Sequence, residues 1–271
     1  MTTRVMPFDF LAQDYDAGFT HSAIGQLQRR RVWHYLNHLL VQYQRPLQIL
    51  EINCGTGEDA WQLAALGHTV LATDASAAMI NVAHTKPATS PAAVSPEFRV
   101  SAFDELGKLL QDKKFDLVFS DFGGLNCIDK KAVRVLAQTL SDHLKPEGKL
   151  FWVLMGDRCW NEVTYYLRKG KPGKAFRRWG RSAQFSAGES SMPVYYYYPA
   201  ALAALLQPLF KQISHHPIGL FVPPSYREAD YQNQPQRLER LYRKEERFAP
   251  SWLSRFADHF CIIFEKEAAV L

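Results

Sequence analysis

The stretch from Leu50 to Thr85 reads LEINCGTGEDAWQLAALGHTVLATDASAAMINVAHT and decides the fold of this chain. An apolar strand pattern ends at Glu51, and a turn containing Gly55 and Gly57 follows it and opens a helix. A second apolar run then ends at Asp74. This order predicts a βαβ unit with glycines at its first turn and an acid at the tip of its second strand, which is typical of a site for a nucleoside-bearing cofactor.

Each residue type in this unit has a physical role at its position. Gly55 and Gly57 lack a Cβ atom, so they accept positive φ angles and let a ligand approach the backbone. Asp74 is placed to accept hydrogen bonds from two ribose hydroxyl groups. Glu58 and Asp59 begin the helix, where acids complement the positive end of the helix dipole. The same two acids disfavour an anionic ligand at the position where a pyrophosphate would otherwise bind.

Four motifs of the chain resemble those of the class I S-adenosylmethionine-dependent methyltransferase family, small-molecule type, and they occur in the family's order over residues 45–155. The matching segments are Glu51–Gly57, Asp74–Met79, Phe115–Asp121 and Leu144–Phe151. The resemblance implies an α/β fold, with a Rossmann-like, seven-stranded, mostly parallel sheet, an antiparallel last strand and helices on both faces. It also implies a substrate lid inserted after strand 5, S-adenosylmethionine as cofactor and S-adenosylhomocysteine as product.

The family's cofactor contacts can be carried over residue by residue. Asn53 stands where the family usually has glycine, and asparagine tolerates the left-handed backbone region better than most residues. Ala102 stands where the family often has an acid, so adenine recognition is expected to rest on backbone groups and Phe103. The implied cofactor-binding residues are Tyr15, Glu51, Asn53, Cys54, Gly55, Thr56, Gly57, Asp74, Ala75, Met79, Ala102, Phe103, Ser120 and Asp121.

A nicotinamide or flavin enzyme is the rival interpretation of the same fragment. Gly55–Ala60 fits the pattern GxGxxA, and Asp74 follows it at close to the sequence spacing that a dinucleotide site requires. The fragment alone does not decide, because both kinds of cofactor carry an adenosine. The upstream Glu51, the paired acids at the helix start and the strand Phe115–Asp121 favour the methyltransferase.

The composition is that of a globular protein with a large core. The 271 residues are 47% hydrophobic and 22% charged, and no apolar run is long enough for a transmembrane helix. The first 16 residues contain acids and no apolar segment of the kind found in secretory signals. The four cysteines form no CxxC pair, so neither a metal site nor a disulfide framework is predicted, and a reducing cytoplasm is the expected location.

The chain divides into four predicted regions around the core. They are residues 1–44, an N-terminal leader and helix capping the cofactor site; 45–155, the cofactor-binding core; 156–199, the inserted lid; and 200–271, the C-terminal part of the sheet with a surface helical insertion. Apolar spacing predicts further elements outside the βαβ unit. They are helices over His21–Tyr43, Asp129–His143 and Arg237–Arg247, and strands over Phe210–Pro217 and His259–Glu265.

Positive charge is concentrated in the predicted lid. Residues 151–199 contain eight basic and three acidic side chains, and this excess equals the formal charge of +5 of the whole chain. A solvated surface, an anionic substrate, a membrane surface and RNA all remain possible interpretations. No nucleic-acid-binding module is visible, and the positive and negative charges of the rest of the chain are balanced. An acidic small molecule or a lipid-like acceptor is therefore the preferred functional interpretation.

The aromatic residues of the lid allow a similar choice. Tyr195–Tyr198 would place two rings on each face of a strand, packed on one side or lining an acceptor pocket. The hypothetical acceptor contacts are Asn126, Trp160, Arg177 and Tyr197. Of the run Arg29–Arg31, one member is a candidate for reaching the cofactor carboxylate.

The reaction implied by the resemblance is in-line displacement at the methyl group of the sulfonium. Asp121, at the tip of the fourth strand, is the candidate catalytic residue, either orienting the acceptor or taking its proton. A small-molecule acceptor is the first hypothesis. The alternatives are a non-catalytic S-adenosylmethionine-binding regulatory or assembly subunit, and a methyltransferase that acts on protein or RNA. The sequence does not identify the attacked atom or the oligomeric state.

Overall fold

The computed structural model describes residues 6–87 and 94–268, and its centre is a seven-stranded sheet. The strand order is β3-β2-β1-β4-β5-β9-β8. The first five strands are parallel, and β9 is antiparallel to both of its neighbours. The strands of this sheet are β1 Gln48–Ile52, β2 Thr69–Asp74, β3 Glu97–Val100, β4 Phe115–Ser120, β5 Leu144–Met155, β8 Phe210–Ile218 and β9 His259–Lys266. The predicted α/β sheet and its antiparallel last strand are confirmed.

Helices cover both faces of the sheet. They are α1 Ala23–Leu40, α2 Glu58–Ala65, α3 Ala77–Thr85, α4 Leu106–Leu110, α5 Lys130–His143, α6 Trp160–Arg168, α7 Pro172–Ala175, α8 Pro199–Leu206, α9 Glu228–Tyr231 and α10 Pro235–Phe248. Short 3₁₀ or π turns occupy Pro7–Phe10, Asp16–Thr20, Val41–Tyr43, Gly124–Cys127, Arg177–Gly180, Ser225–Arg227 and Ser251–Phe256.

Alternation along the strands fills two apolar layers. In β4, Leu117 and Phe119 pack with α1, α2 and α3 on one face, whereas Val118 packs with α4, α5 and α8 on the other. Trp152 of β5 is fully buried in the second layer. Because the central strands β1 and β4 are covered on both faces, they are buried almost throughout, as parallel strands usually are.

The strand order reverses at β1, which pairs with β2 on one side and with β4 on the other. The connections from β1 through α2 to β2 and from β4 through α5 to β5 lie on opposite faces, so they diverge at the carboxyl ends of β1 and β4. This divergence opens a crevice at that edge, the usual ligand position in an open α/β sheet. The crevice is where the glycine turn and Asp74 meet.

The segment after β5 contains α6, α7 and a separate two-stranded hairpin, β6 Ser182–Ala187 and β7 Ser190–Tyr195. The predicted strand through Tyr195–Tyr198 is wrong, because β7 ends at Tyr195 and Pro199 begins α8. Tyr197 instead forms a bridge to Gly156, and its hydroxyl donates to the Ile128 carbonyl. The four rings therefore do not divide between two faces of one strand.

Two neighbouring arginines of this segment have different surroundings. Arg178 is 4% exposed and donates to Glu162 and, at 2.6 Å, to Asp258. Arg177 also donates to Glu162, at 2.6 Å, but its side chain is 40% exposed. Part of the basic excess of the segment is therefore internal structure rather than a free surface.

In residues 6–87 and 94–268, no helix combines the length and the apolar character needed to cross a membrane. Over the same residues, no group of three or more histidine, cysteine or acidic side chains has a metal-binding arrangement.

Candidate functional site

A cavity of about 680 Å³ opens in the crevice at the carboxyl edge of the sheet. Its walls come from the βαβ unit, from the loop after β3, from the start of α5, from the N-terminal segment and from β7. Eight of the predicted cofactor residues line it. They are Tyr15, Asn53, Gly55, Asp74, Ala75, Met79, Ala102 and Phe103. The structure thus brings together residues from three strand ends and the N-terminal segment.

The glycine turn after β1 has the backbone geometry that its residue types favour. Asn53, Gly55 and Gly57 have φ angles of 52°, 53° and 74°, in the left-handed region. A Cβ on Gly55 would meet no atom within 4 Å, so its backbone faces open space. A Cβ on Gly57 would lie 2.7 Å from the ring of Phe98, so this glycine is required by packing. Gly55 leaves room for a ligand, whereas Gly57 lets α2 approach β3.

The Asp74 carboxylate is fixed at the tip of β2. One oxygen accepts from the Gly55 N–H at 2.9 Å and the other from the Ser76 N–H at 2.8 Å. Burial raises the pKa of Asp74, while these backbone donors oppose that shift. Each oxygen keeps a further lone pair for a donor in the cavity. The residue is therefore preorganised to accept two hydroxyl groups.

Three buried carboxyl groups lie around one arginine behind the cavity. Arg29 of α1 forms an ion pair with Asp59 of α2, and its Nη1 lies 3.7 Å from Oδ2 of Asp121. The indole N–H of Trp33 donates to Asp59 at 2.7 Å. Glu51 is 1% exposed and belongs to the same cluster. Arg29 is thus the member of the run Arg29–Arg31 that reaches these acids, whereas the buried Arg31 donates to the Tyr35 hydroxyl.

This cluster contains more acid than base. Burial, followed by the negative charge of Asp59, raises the pKa values of Glu51 and Asp121 well above their usual range. Oε2 of Glu51 and Oδ2 of Asp121 have no hydrogen-bond partner among the residues that the structure describes. A buried carboxyl oxygen without a hydrogen bond is costly, so these two atoms suit a cationic ligand group.

The N-terminal segment lies across the cavity and is tied to the core by side chains. The Ser76 hydroxyl donates to Asp9 at 2.5 Å, and Lys86 forms an ion pair with Asp16 at 2.8 Å. The ring of Phe8 stacks on Phe185 of β6 at 5.5 Å. The segment and the hairpin together cover the opening between α3 and α5.

The other predicted site residues lie behind the cavity or away from it. The Ser120 hydroxyl donates to the side chain of Asn53 at 2.6 Å, and the amide of Asn126 bonds to the backbone of β5 and β7. Neither residue lines the cavity, and Trp160 is 59% exposed elsewhere. The predicted residues outside the lining are Glu51, Cys54, Thr56, Gly57, Ser120, Asp121, Asn126, Trp160, Arg177 and Tyr197.

Many residues that line the cavity were not predicted from the sequence. The unpredicted lining includes Met6–Phe8 of the N-terminal segment, Ser190–Pro193 of β7 and several residues between Phe122 and Leu136. The aromatic residues of the leader were a signal for the first group. The hairpin carries no comparable motif, because its position depends on contacts with residues far away in the sequence.

Residues 49–148 match a family model described as a methyltransferase domain, and these residues include β1 to the start of β5. The same residues supply the glycine turn, Asp74 and the loop after β3. This match supports the class I S-adenosylmethionine-dependent methyltransferase family that the four sequence motifs predicted. The enzyme class and the cofactor predicted from the sequence are thereby confirmed. No curated protein matches the sequence.

Solved methyltransferases share the fold over most of the chain. Magnesium protoporphyrin IX methyltransferase (ChlM) from Synechocystis PCC 6803, solved with bound SAH, is 14% identical with a TM-score of 0.58, and the match covers 90% of this chain and 86% of that one. A SAM-dependent methyltransferase from Methanosarcina mazei is 20% identical with a TM-score of 0.58, and the match covers 84% of this chain and 96% of that one. The CcbJ methyltransferase from Streptomyces caelestis is 16% identical with a TM-score of 0.53, and the match covers 82% of this chain and 90% of that one. At these identities the likeness establishes the fold.

Proposed function

We propose that this methyltransferase acts on a small molecule with an apolar body, bound in the cavity beside the cofactor. The observation that carries the proposal is the continuity of one cavity of about 680 Å³ from Asp74 to walls of aliphatic and aromatic side chains. A pocket of this size, mostly apolar with few polar groups, is typical of small-molecule sites. The N-terminal segment and the hairpin both line this cavity and narrow it, which favours a small acceptor over a polymer.

In this proposal the residues of the βαβ unit hold the cofactor. Asp74 binds the ribose hydroxyls, the backbone at Gly55 lies against the ligand, and Ala102 and Phe103 surround the adenine. Arg29 binds the carboxylate of the amino-acid end, and Glu51 and Asp121 bind its ammonium group. The bound cofactor supplies an electrophilic methyl group on a sulfonium. The contribution of the chain is then to orient the acceptor and to exclude water.

Two titrating groups of the cavity, Tyr15 and Cys127, are unsuited to act as bases. Burial raises the pKa of Tyr15, and it raises the pKa of Cys127 to about 12, so both groups stay protonated at neutral pH. Asp121 lies behind the lining, and its predicted role as a base stays a prediction. The proposal therefore favours acceptors that attack without a strong base, such as neutral amines or acidic phenols. An anionic acceptor has less support than the basic composition of the lid implied, because Arg177 is bound to Glu162.

The acceptor class can be tested with methyl-labelled S-adenosylmethionine and a panel of phenols, amines, thiols and carboxylic acids with apolar scaffolds. We expect label in at least one small molecule. Replacing Met192 with tryptophan should raise KM for bulky acceptors at least about tenfold, because the larger ring fills the hairpin side of the cavity. Ser182→Trp, on the exposed start of β6 outside the lining, is the matched control and should change KM little.

Cofactor affinity should be unchanged in both of these variants. Label in protein or RNA, with none in any small molecule, would contradict the proposed acceptor class and leave the methyltransferase assignment intact.

Cofactor binding should release protons if Glu51 and Asp121 bind the ammonium group. Their pKa values are raised in the free protein, and a bound cation would lower them. Affinity for S-adenosylhomocysteine should therefore increase as the pH rises above the usual carboxyl range, until the ligand amine itself loses its proton at alkaline pH. Calorimetry at pH 6 in buffers of different ionisation enthalpy measures the number of protons released.

Glu51→Gln is the control for this linkage, because it removes the titrating group and keeps the shape. The proton release should decrease in this variant. Wild-type binding without any proton release at pH 6 would show that these carboxyl groups do not bind the ammonium.

A further inference from the structure

A second, smaller cavity of about 280 Å³ lies between α6 and the α9–α10 region. It shares no lining residue with the cavity at the sheet edge. Its polar lining includes four cationic side chains and two tyrosines. They are Arg168, Lys169, Arg227, Arg237, Tyr165 and Tyr231. Neither the methyl transfer nor the cofactor site uses any of them.

The four cations are poorly matched by acids. Asp230 forms an ion pair with Arg227 at 3.0 Å. Within residues 6–87 and 94–268, Arg168, Lys169 and Arg237 have no carboxylate within ion-pair distance. The other acid of α9, Glu228, accepts from two backbone N–H groups at the start of α1. The cavity therefore has a net positive charge that the surrounding elements do not neutralise.

Arg227 is held in position by aromatic rings. Its guanidinium carbon lies 4.2 Å from the ring centre of Tyr165 and 5.2 Å from that of Tyr231. Its side chain is only 16% exposed, and Asp230 uses only the Nε–H. Neither terminal nitrogen of Arg227 has an acceptor in the part of the chain that the structure describes. A fixed guanidinium with free terminal N–H groups is suited to bidentate binding of an oxyanion.

Two more cations are oriented by the same rings. Arg237 lies 5.3 Å from the ring centre of Tyr231. Lys169 lies 4.4 Å from the ring centre of Tyr165 and donates to its hydroxyl at 2.6 Å. Three elements thus direct donors to one concave surface, and Phe221 and Leu241 add apolar surface for the organic part of a ligand.

We propose that this second cavity binds a phosphate group carried by a small organic body. A phosphate monoester presents three terminal oxygens and close to two negative charges, which matches several cationic donors better than a carboxylate does. The volume is slightly below the range typical of whole drug-sized ligands, so it fits a compact phosphorylated compound or the headgroup of a phospholipid.

Calorimetry of the full chain with inorganic phosphate, phenyl phosphate and benzoate tests the chemistry. We expect phenyl phosphate to bind at least about tenfold more tightly than benzoate. The double variant Arg168→Gln with Arg237→Gln should weaken that binding at least about tenfold, because it removes two donors that have no carboxylate partner and leaves the fold intact.

Arg240→Gln with Arg243→Gln is the matched control, since it removes the same charge from exposed positions of α10 outside the cavity. It should weaken binding less than about twofold. If both double variants weakened binding equally, the loss would come from the change in net charge rather than from the cavity, and the proposal would be overturned. The proposal would also be overturned if benzoate bound as tightly as phenyl phosphate. It would equally be overturned if neither the soluble phosphates nor vesicles containing phosphatidic acid bound to the protein.

The source of the phosphate is tested with vesicles of phosphatidylcholine with and without phosphatidic acid. Co-sedimentation that requires phosphatidic acid and is lost in the Arg168/Arg237 double variant assigns the cavity to a lipid headgroup. Binding of phenyl phosphate without such co-sedimentation assigns it to a soluble phosphate ester. Either result supports the proposed chemistry, and both are independent of the acceptor in the first cavity.

Discussion

Replacing Arg178 with methionine is expected to lower the free energy of unfolding by about 3–5 kcal/mol. The side chain is 5% exposed, and those of its partners Glu162 and Asp258 are 1% and 4% exposed. Without the guanidinium, Glu162 keeps only the partly exposed Arg177, the buried Asp258 carboxylate loses its donor at 2.6 Å, and the Asp258 carbonyl loses a donor at 2.9 Å. Urea unfolding at pH 7 measures the loss.

The loss of stability in this variant should also depend on pH. Although burial opposes it, His259 and Arg178 lower the pKa of Asp258 below its usual range. In the wild type, its stabilising contribution is present above the pKa of the unfolded chain and is lost as the pH falls through the folded value. In the variant the pKa of Asp258 should rise, so the stability difference should shrink as the pH falls below the ordinary aspartate value of ~4.

Arg177→Gln is the matched control, because this neighbouring arginine also bonds to Glu162 but its side chain is 40% exposed. Its loss should cost less than about 1 kcal/mol. Equal losses for the two variants would contradict the interpretation of Arg178 as the buried centre of the network.

Replacing Asp74 with alanine is expected to weaken binding of S-adenosylmethionine and S-adenosylhomocysteine by about 100-fold or more. A hydrogen bond to a charged group contributes about 1.5–3 kcal/mol, and the carboxylate is placed to accept from two ribose hydroxyls. The same substitution frees the backbone donors of Gly55 and Ser76, which loosens the glycine turn. Calorimetric titration with both ligands measures the effect.

Asp74→Asn separates charge from shape in this experiment. It keeps one acceptor oxygen and should reduce affinity about tenfold. Thermal unfolding without ligand should show whether either variant has lost stability. Unchanged affinity of Asp74→Ala, or wild-type binding of NAD(H) in place of the sulfur-containing ligands, would contradict the assignment of Asp74 and of the cofactor.

The sequence predicted the elements whose signals are local. The glycine turn and the acid at the end of β2 lie within one βαβ unit, and the structure places Asn53, Gly55 and Gly57 in the left-handed region as their residue types favour. The predicted helix over Asp129–His143 starts at a true N-cap, since the Asp129 side chain accepts from the backbone of Ala132. Such features depend on neighbours a few residues away, so one sequence contains them.

The parts of the site that were not predicted depend on contacts between distant segments. Phe8 meets Phe185 across the cavity, and Arg178 meets Asp258 from 80 residues away. A count of charges does not distinguish a buried arginine from an exposed one, so Arg177 and Arg178 counted equally toward the basic excess of the lid. Burial of a charge depends on tertiary partners, and the sequence carries no periodic signal for them.

The direction of β9 has a practical consequence for experiments on this enzyme. Met155, at the carboxyl end of β5, pairs with His259, whereas Lys149 pairs with Glu265. The described chain therefore leaves the sheet at the edge opposite the cofactor cavity, while Met6 lines that cavity. A sensor surface or a fluorescent label joined next to the end of β9 will keep the entrance clear. One joined next to Met6 will sit beside it, so binding assays should use attachment near β9.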